Sequence, residues 1–144
     1  MKRGITLFTI LLVLCNCTKK EALETRIEGT WKMIAAQTFE GDSIKHKDLT
    51  NTTFIKIINK NHFAFFNQEN NSNANFYGGA GTYTLQGKYY TETLNFTAVE
   101  AIKNHRFSFT VEFKGDTLIQ SGFEKIEEAG INIHITETYI KLKK

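Results

Sequence analysis

The chain has 144 residues, 18 lysines and arginines against 15 acidic residues, a formal net charge of +3, two cysteines and no proline. One domain of this length can bury a proper core, and two cysteines are too few for a disulfide framework. Its basic residues cluster only at Lys19-Lys20 and at Lys141, Lys143 and Lys144, which reads as solvated ends and excludes a nucleic-acid face.

In chain order, the first element is a targeting pattern. Lys2 and Arg3 precede Ile5 to Leu14, a ten-residue run that is apolar apart from two threonines. That length suits a signal-peptide core and is too short to span a bilayer. No small residues of the Ala-x-Ala kind follow; Leu14-Cys15-Asn16-Cys17 does. This stretch resembles the lipobox of bacterial lipoproteins, where a leucine three residues before a cysteine guides cleavage and the thiol is acylated. The resemblance implies a signal peptide over 1–16, a lipid anchor at Cys17, and an address in the outer membrane of a bacterial cell envelope. Cys15 fits less well, because bulky Leu14 would sit at its cleavage position. The other readings are a secreted protein with a poor cleavage site, a Cys15–Cys17 disulfide and an incomplete zinc pair. Loss of residues 1–16 leaves 128 residues with 16 basic and 15 acidic side chains, so the mature chain is almost neutral.

Residues 17–27 read as anchor, tether and short helix, with "EALETRI" at 21–27 the helical piece. From residue 28 to 144 the composition changes. Eleven of the chain's twelve phenylalanines and all five tyrosines, against one tryptophan, lie here and favour β-structure. Gly41-Asp42, Asn59-Lys60-Asn61, Gly87, Gly115-Asp116 and Gly130 punctuate the chain at hairpin spacing. Eight strands are predicted, over 29–38, 52–58, 62–68, 80–86, 88–97, 106–114, 117–125 and 131–142. "NNSNAN", 70–75, reads as a loop. Short connections predict an all-β, eight-stranded antiparallel up-and-down barrel, closed so that no edge stays exposed.

Alternation assigns the faces. In "RFSFTVEF", Phe107, Phe109, Val111 and Phe113 share one side. Tyr83 and Leu85 oppose Thr82 and Thr84. In "YYTETLNF", Tyr90, Glu92, Leu94 and Phe96 share a face. In the last strand Ile131, Ile133, Ile135, Glu137 and Tyr139 do. Strand 52–58 is ambiguous, since Phe54/Ile58 competes with Ile55/Ile57. Two carboxylates, Glu92 and Glu137, therefore fall on otherwise apolar faces.

Three stretches carry a family likeness: Gly29-Thr30-Trp31 opening the first strand after a short helix, "GGAGTYTLQGKYYTETLNF" at 78–96, and "GDTLIQSG" at 115–122. Together they resemble the bacterial lipocalin-like (calycin-type) domains of envelope lipoproteins. In lipocalins a late arginine covers the first-strand tryptophan; here the last strand offers Lys141, and the family's Thr-Asp-Tyr motif and disulfide are missing. The likeness implies a barrel around a lumen, with Trp31 plugging one end. The avidin barrels share the Gly-Thr-Trp element but line their site with several tryptophans, which this chain lacks.

A carboxylate facing a lumen must be hydrated, paired or protonated, because an unpaired buried charge costs several kcal/mol. Tyr83, Tyr90, Glu92, Phe107, Phe109, Val111, Glu137 and Tyr139 are the candidate ligand-binding set. In it the tyrosines and glutamates hold the polar end of a small, mostly apolar ligand, and the aromatic side chains cover its hydrocarbon. The bland alternative pairs each glutamate with a lysine or Arg106, or turns it outward. His46, His62, His105 and His134 have no ligand spacing, so no metal is expected. Gly78-Gly79-Ala80-Gly81 leads into a strand rather than a helix, so it is no nucleotide loop and suits a bulge or tight bend. No cofactor is expected. The reading adopted is a non-catalytic, lipid-anchored carrier. The rivals are a structural or interaction lipoprotein whose barrel is filled by its own side chains and a decarboxylase- or isomerase-type barrel enzyme using Tyr and Glu.

Overall fold

The computed structural model describes residues 26–127 and 130–143. Cys15, Cys17 and most of the expected helix lie outside the described residues; its last two positions, Arg26 and Ile27, are helical. Nine strands follow: β1 (Gly29–Glu40), β2 (Ser43–His46), β3 (Thr52–Ile58), β4 (His62–Glu69), β5 (Tyr77–Gln86), β6 (Tyr89–Thr97), β7 (Arg106–Lys114), β8 (Thr117–Ile126) and β9 (Ile131–Lys141). A 3-10 turn, Glu100–Ile102, lies between β6 and β7.

Neighbours from β3 to β9 pair antiparallel in chain order, and β1 closes the ring by pairing with both β3 and β9. The result is an eight-stranded closed barrel with one extra arm. β3 pairs with β1 only over Gly29–Lys32, and β2 takes the same edge of β1 over Gln37–Glu40. All four β2 residues are exposed, so no apolar alternation marked it in the sequence. The arm extends the wall at one rim.

Two irregularities set which side chains face inward. In β1 the register with β9 shifts between Met33 and Ala35. Trp31 and Met33 are buried before it, Ile34 is 49% exposed, and Ala36 and Thr38 line the lumen beyond it. In the β5–β6 pair the register shifts at Ala80/Gly81, where Gly81 faces Leu94 and Ala80 faces Phe96. Asn95 is the extra residue, so Phe96 turns outward at 70% exposure while Tyr90, Glu92 and Leu94 stay inside. The expected common face of Tyr90, Glu92, Leu94 and Phe96 therefore breaks at its last member, because a bulge reverses the alternation. Gly81 permits this crowding: a Cβ there would lie 1.8 Å from the Thr93 carbonyl oxygen.

The barrel is solid at one end. Trp31 is 1% exposed and its indole N–H donates to the Ile27 carbonyl at 2.8 Å. Phe113 packs against the indole at 5.9 Å, and the Lys141 ammonium lies 5.2 Å from its ring centre. That ammonium also donates to the Arg26 carbonyl at 3.2 Å. Gly29 makes room for the lysine arm. Its φ is +145°, and a Cβ would come within 2.5 Å of Lys141 Cε, so neither the backbone nor the space tolerates a side chain.

Candidate functional site

Above the plug, the inward faces of the strands leave a cavity of about 450 Å3. Its lining reaches Lys45 and His46 of β2, Ile102 of the 3-10 turn, and Ile126 and Ile131 at the ends of β8 and β9, at the end of the barrel opposite Trp31. Ile126, Ile131, Ile133 and Ile135 make one wall, and Phe54, Phe65, Phe107, Phe109 and Leu94 make the other. Lys45 and His46 of β2 and the adjoining Lys47 stand at the mouth.

The floor is polar, and the alternation of β3, β6, β8 and β9 builds it. Phe54, Lys56 and Ile58 face inward on β3, which resolves the ambiguity of that strand and places a lysine in the lumen. Lys56 is 2% exposed. It forms an ion pair with Glu92, whose side chain is 8% exposed, and donates to Gln120 Oε1 at 2.8 Å. Three aromatic rings, Phe63, Tyr90 and Tyr139, surround the ammonium at 5.4–5.8 Å, which adds cation–π attraction. Gln120 passes the chain on, donating through Nε2 to Glu137 Oε2 at 3.3 Å. The Tyr139 hydroxyl donates to the same oxygen at 2.8 Å. Higher on β8, Glu124 also lines the cavity and makes no hydrogen bond among the described residues.

The electrostatics follow from burial. Burial raises the pKa of Glu137, against which the Lys56 charge and the Tyr139 hydrogen bond act. Glu124 is pushed up to about 7, first by burial and then by the charges of Glu137 and Glu92. The Tyr90 and Tyr139 hydroxyls are driven well above their usual range by burial and by the neighbouring carboxylates. Chemically, the floor offers one compensated ion pair and two carboxyl groups whose charged forms are disfavoured.

Of the candidate set, Glu92, Phe107, Phe109, Glu137 and Tyr139 come together around the cavity. Tyr83, Tyr90 and Val111 do not line it. Tyr90 is fully buried beneath the floor and packs against Tyr83 at 5.0 Å. The Tyr83 hydroxyl donates to the Asn59 carbonyl at 2.7 Å, at the plugged end, and Val111 belongs to the same packed layer. Arg106 is exposed and pairs with neither glutamate. Lys56, Gln120 and Glu124 were missed. The Phe54/Ile58 parity carried the signal for the first, and Leu118-x-Gln120-x-Gly122-x-Glu124-x-Ile126 carried it for the other two. Among the described residues no group of three His, Cys, Asp or Glu side chains is placed to hold a metal ion.

The molecule is thus a closed antiparallel β-barrel with a cavity reached from one end. Residues 26–144 match a family model described as "Domain of unknown function (DUF4488)", and the chain belongs to that family. Among solved structures it is similar to a barrel titled "De novo design of a fluorescence-activating beta barrel", at 9% identity over 83% of this chain and 96% of that one, with a TM-score of 0.42. No curated protein matches the chain.

Proposed function

We propose that this protein is a lipid-anchored, lipocalin-like envelope protein that holds a small, mostly apolar ligand non-catalytically in its lumen. The observation that carries the reading is the 450 Å3 cavity, with apolar walls and convergent polar groups at its floor. Sites of small molecules have this size and make-up, and a barrel filled by its own side chains would leave no such space. The non-catalytic part rests on the way the floor groups satisfy one another: Lys56 is bound by Glu92 and Gln120, and Glu137 by Tyr139 and Gln120.

The lipocalin-like likeness draws support from Gly29-Thr30-Trp31 and from the Lys141 ammonium over the indole. The anchor rests on the lipobox resemblance at Leu14–Cys17, and the outer-membrane address on the same motif. Eight residues lie between Cys17 and Arg26, a reach of at most about 30 Å even when fully extended. An acylated Cys17 would keep the plugged end near the bilayer and turn the mouth away from it.

Native mass spectrometry of protein extracted from its own membranes tests the carrier role. A co-purifying small molecule released on unfolding is expected; protein of unadorned mass in every preparation would contradict it. For the anchor, Cys17→Ser should yield an unprocessed chain without lipid label, and the same outcome from Cys15→Ser alone would move the anchor to Cys15.

A further inference from the structure

The floor and wall of the cavity carry more negative than positive groups. Glu92, Glu124 and Glu137 all line it, on β6, β8 and β9. Lys56 is the one buried cation facing them among the described residues, and Glu92 already neutralises it. Glu137 accepts hydrogen bonds only from the neutral donors Tyr139 and Gln120 and feels the Lys56 and Lys47 charges without direct contact, and the Glu124 side chain accepts none among the described residues. The other cavity groups able to carry a positive charge are Lys45 and His46 of β2 and the adjoining Lys47. All three are exposed or half-buried at the rim; Lys45 is tied to Glu40 at 2.8 Å and Lys47 to the Tyr77 hydroxyl at 3.0 Å. Water and salt screen charges in that position far more than those inside.

Resting on the carrier reading above, we infer that the ligand is an apolar amine whose ammonium group is received by Glu137 and Glu124, with its hydrocarbon against Ile126, Ile131, Ile133 and Ile135. An ammonium supplies the directly bound positive charge that both carboxyls lack and the N–H donors that Glu124 lacks, in a space where water competes poorly. A fatty acid would add another carboxylate to the same lumen, and a neutral alcohol would bring no positive charge to either carboxyl.

One cationic group also explains why the carboxyls are left uncompensated by the chain itself. In its absence the cheapest way to remove their charge is protonation, consistent with the elevated pKa of both. Entry of an ammonium then displaces a proton from the carboxyls, so amine affinity rises with pH across neutrality. The amine itself stays protonated there, as a lysine does.

The test is isothermal titration of the purified protein with decylamine, decanol and decanoate, each below its aggregation concentration, at pH 6 and pH 8. Decylamine is expected to bind about tenfold or more tighter than either competitor at pH 8, as a desolvated charge pair implies, and to lose much of that margin at pH 6. Glu137→Gln and, separately, Glu124→Gln are expected to narrow the margin of decylamine over decanol and to flatten its dependence on pH. Decanol or decanoate binding as well as the amine would overturn the ligand class and leave the carrier reading standing. Binding of none of the three would overturn both. Should Glu137→Gln fold poorly, Glu124→Gln and the pH series decide alone.

Discussion

At the scale of single residues, the lumen is organised by Lys56. Removing its charge alone leaves Glu92 buried and unpaired, which costs about 3–5 kcal/mol, whereas replacing both partners by apolar residues is often neutral. Lys56→Met is therefore expected to lower stability by that amount in denaturant unfolding, and Lys56→Met/Glu92→Met to recover most of it. A double variant as unstable as the single one would mean that Gln120 and the three aromatic rings, rather than the ion pair, hold the floor together. Glu124 makes a second prediction, with a defined sign. Its pKa stands at about 7 in the folded chain against an ordinary 4.5, so the folded state binds more protons between those values. Its contribution to stability is fully present below about pH 4.5 and is lost as pH rises through about 7. Glu124→Gln should remove that part of the decline, so the variant gains on the wild type in melting temperature from pH 5 to pH 8.

The same residues show what a sequence can disclose. Glu92 and Glu137 were legible because each sits in a strand whose other alternate positions are plainly apolar. Lys56 was not, because both parities of "TFIKII" contain large apolar side chains; only pairing with β1 and β4 decides between them. Gln120 and Glu124 share a face with Leu118 and Ile126, but Gly122 between them contributes nothing to the pattern, and two polar residues in five erase the alternation. Polar lumens are hardest to read where they are most polar.

At the scale of elements, eight of the nine strands begin or end within a few residues of the pattern, since hairpin turns and aromatic alternation are local signals. The departures have tertiary causes. β2 exists because β3 leaves the edge of β1 unoccupied beyond Lys32. β5 starts at Tyr77 and not at residue 80, because Gly78 and Gly79 of the glycine-rich lead-in pair with Phe66 and Phe65. The bulge at Asn95 cannot be seen in "YYTETLNF" and sends Phe96 outside, where Ile57, Ala64 and Ala80 line up with it across β3, β4 and β5. This bulge depends on Gly81. Gly81→Ala forces a methyl group against the Thr93 carbonyl and is expected to cost at least about 1–3 kcal/mol, the range of an overpacked core. Loss of the chemical-shift signature of the bulge at Asn95 should accompany the drop; an unchanged melting temperature would show that the strands pair with more room than described.

For the whole molecule, the two ends of the barrel have separate tasks. The plugged end carries stability: Trp31 is buried, hydrogen-bonded and covered by Lys141, and Trp31→Ala should cost about 3–5 kcal/mol without altering the cavity's polar floor. On the carrier reading proposed above, recognition falls to the open end, whose walls can vary as long as the space remains. The most direct measurement is titration with a neutral apolar fluorophore such as N-phenyl-1-naphthylamine, comparing the wild type with Ile135→Trp, which places an indole in the cavity from its wall. The account predicts saturable one-to-one binding by the wild type and its loss in a variant that melts as cooperatively as the parent. Equal binding by both, or none by the wild type, would contradict a ligand-holding lumen.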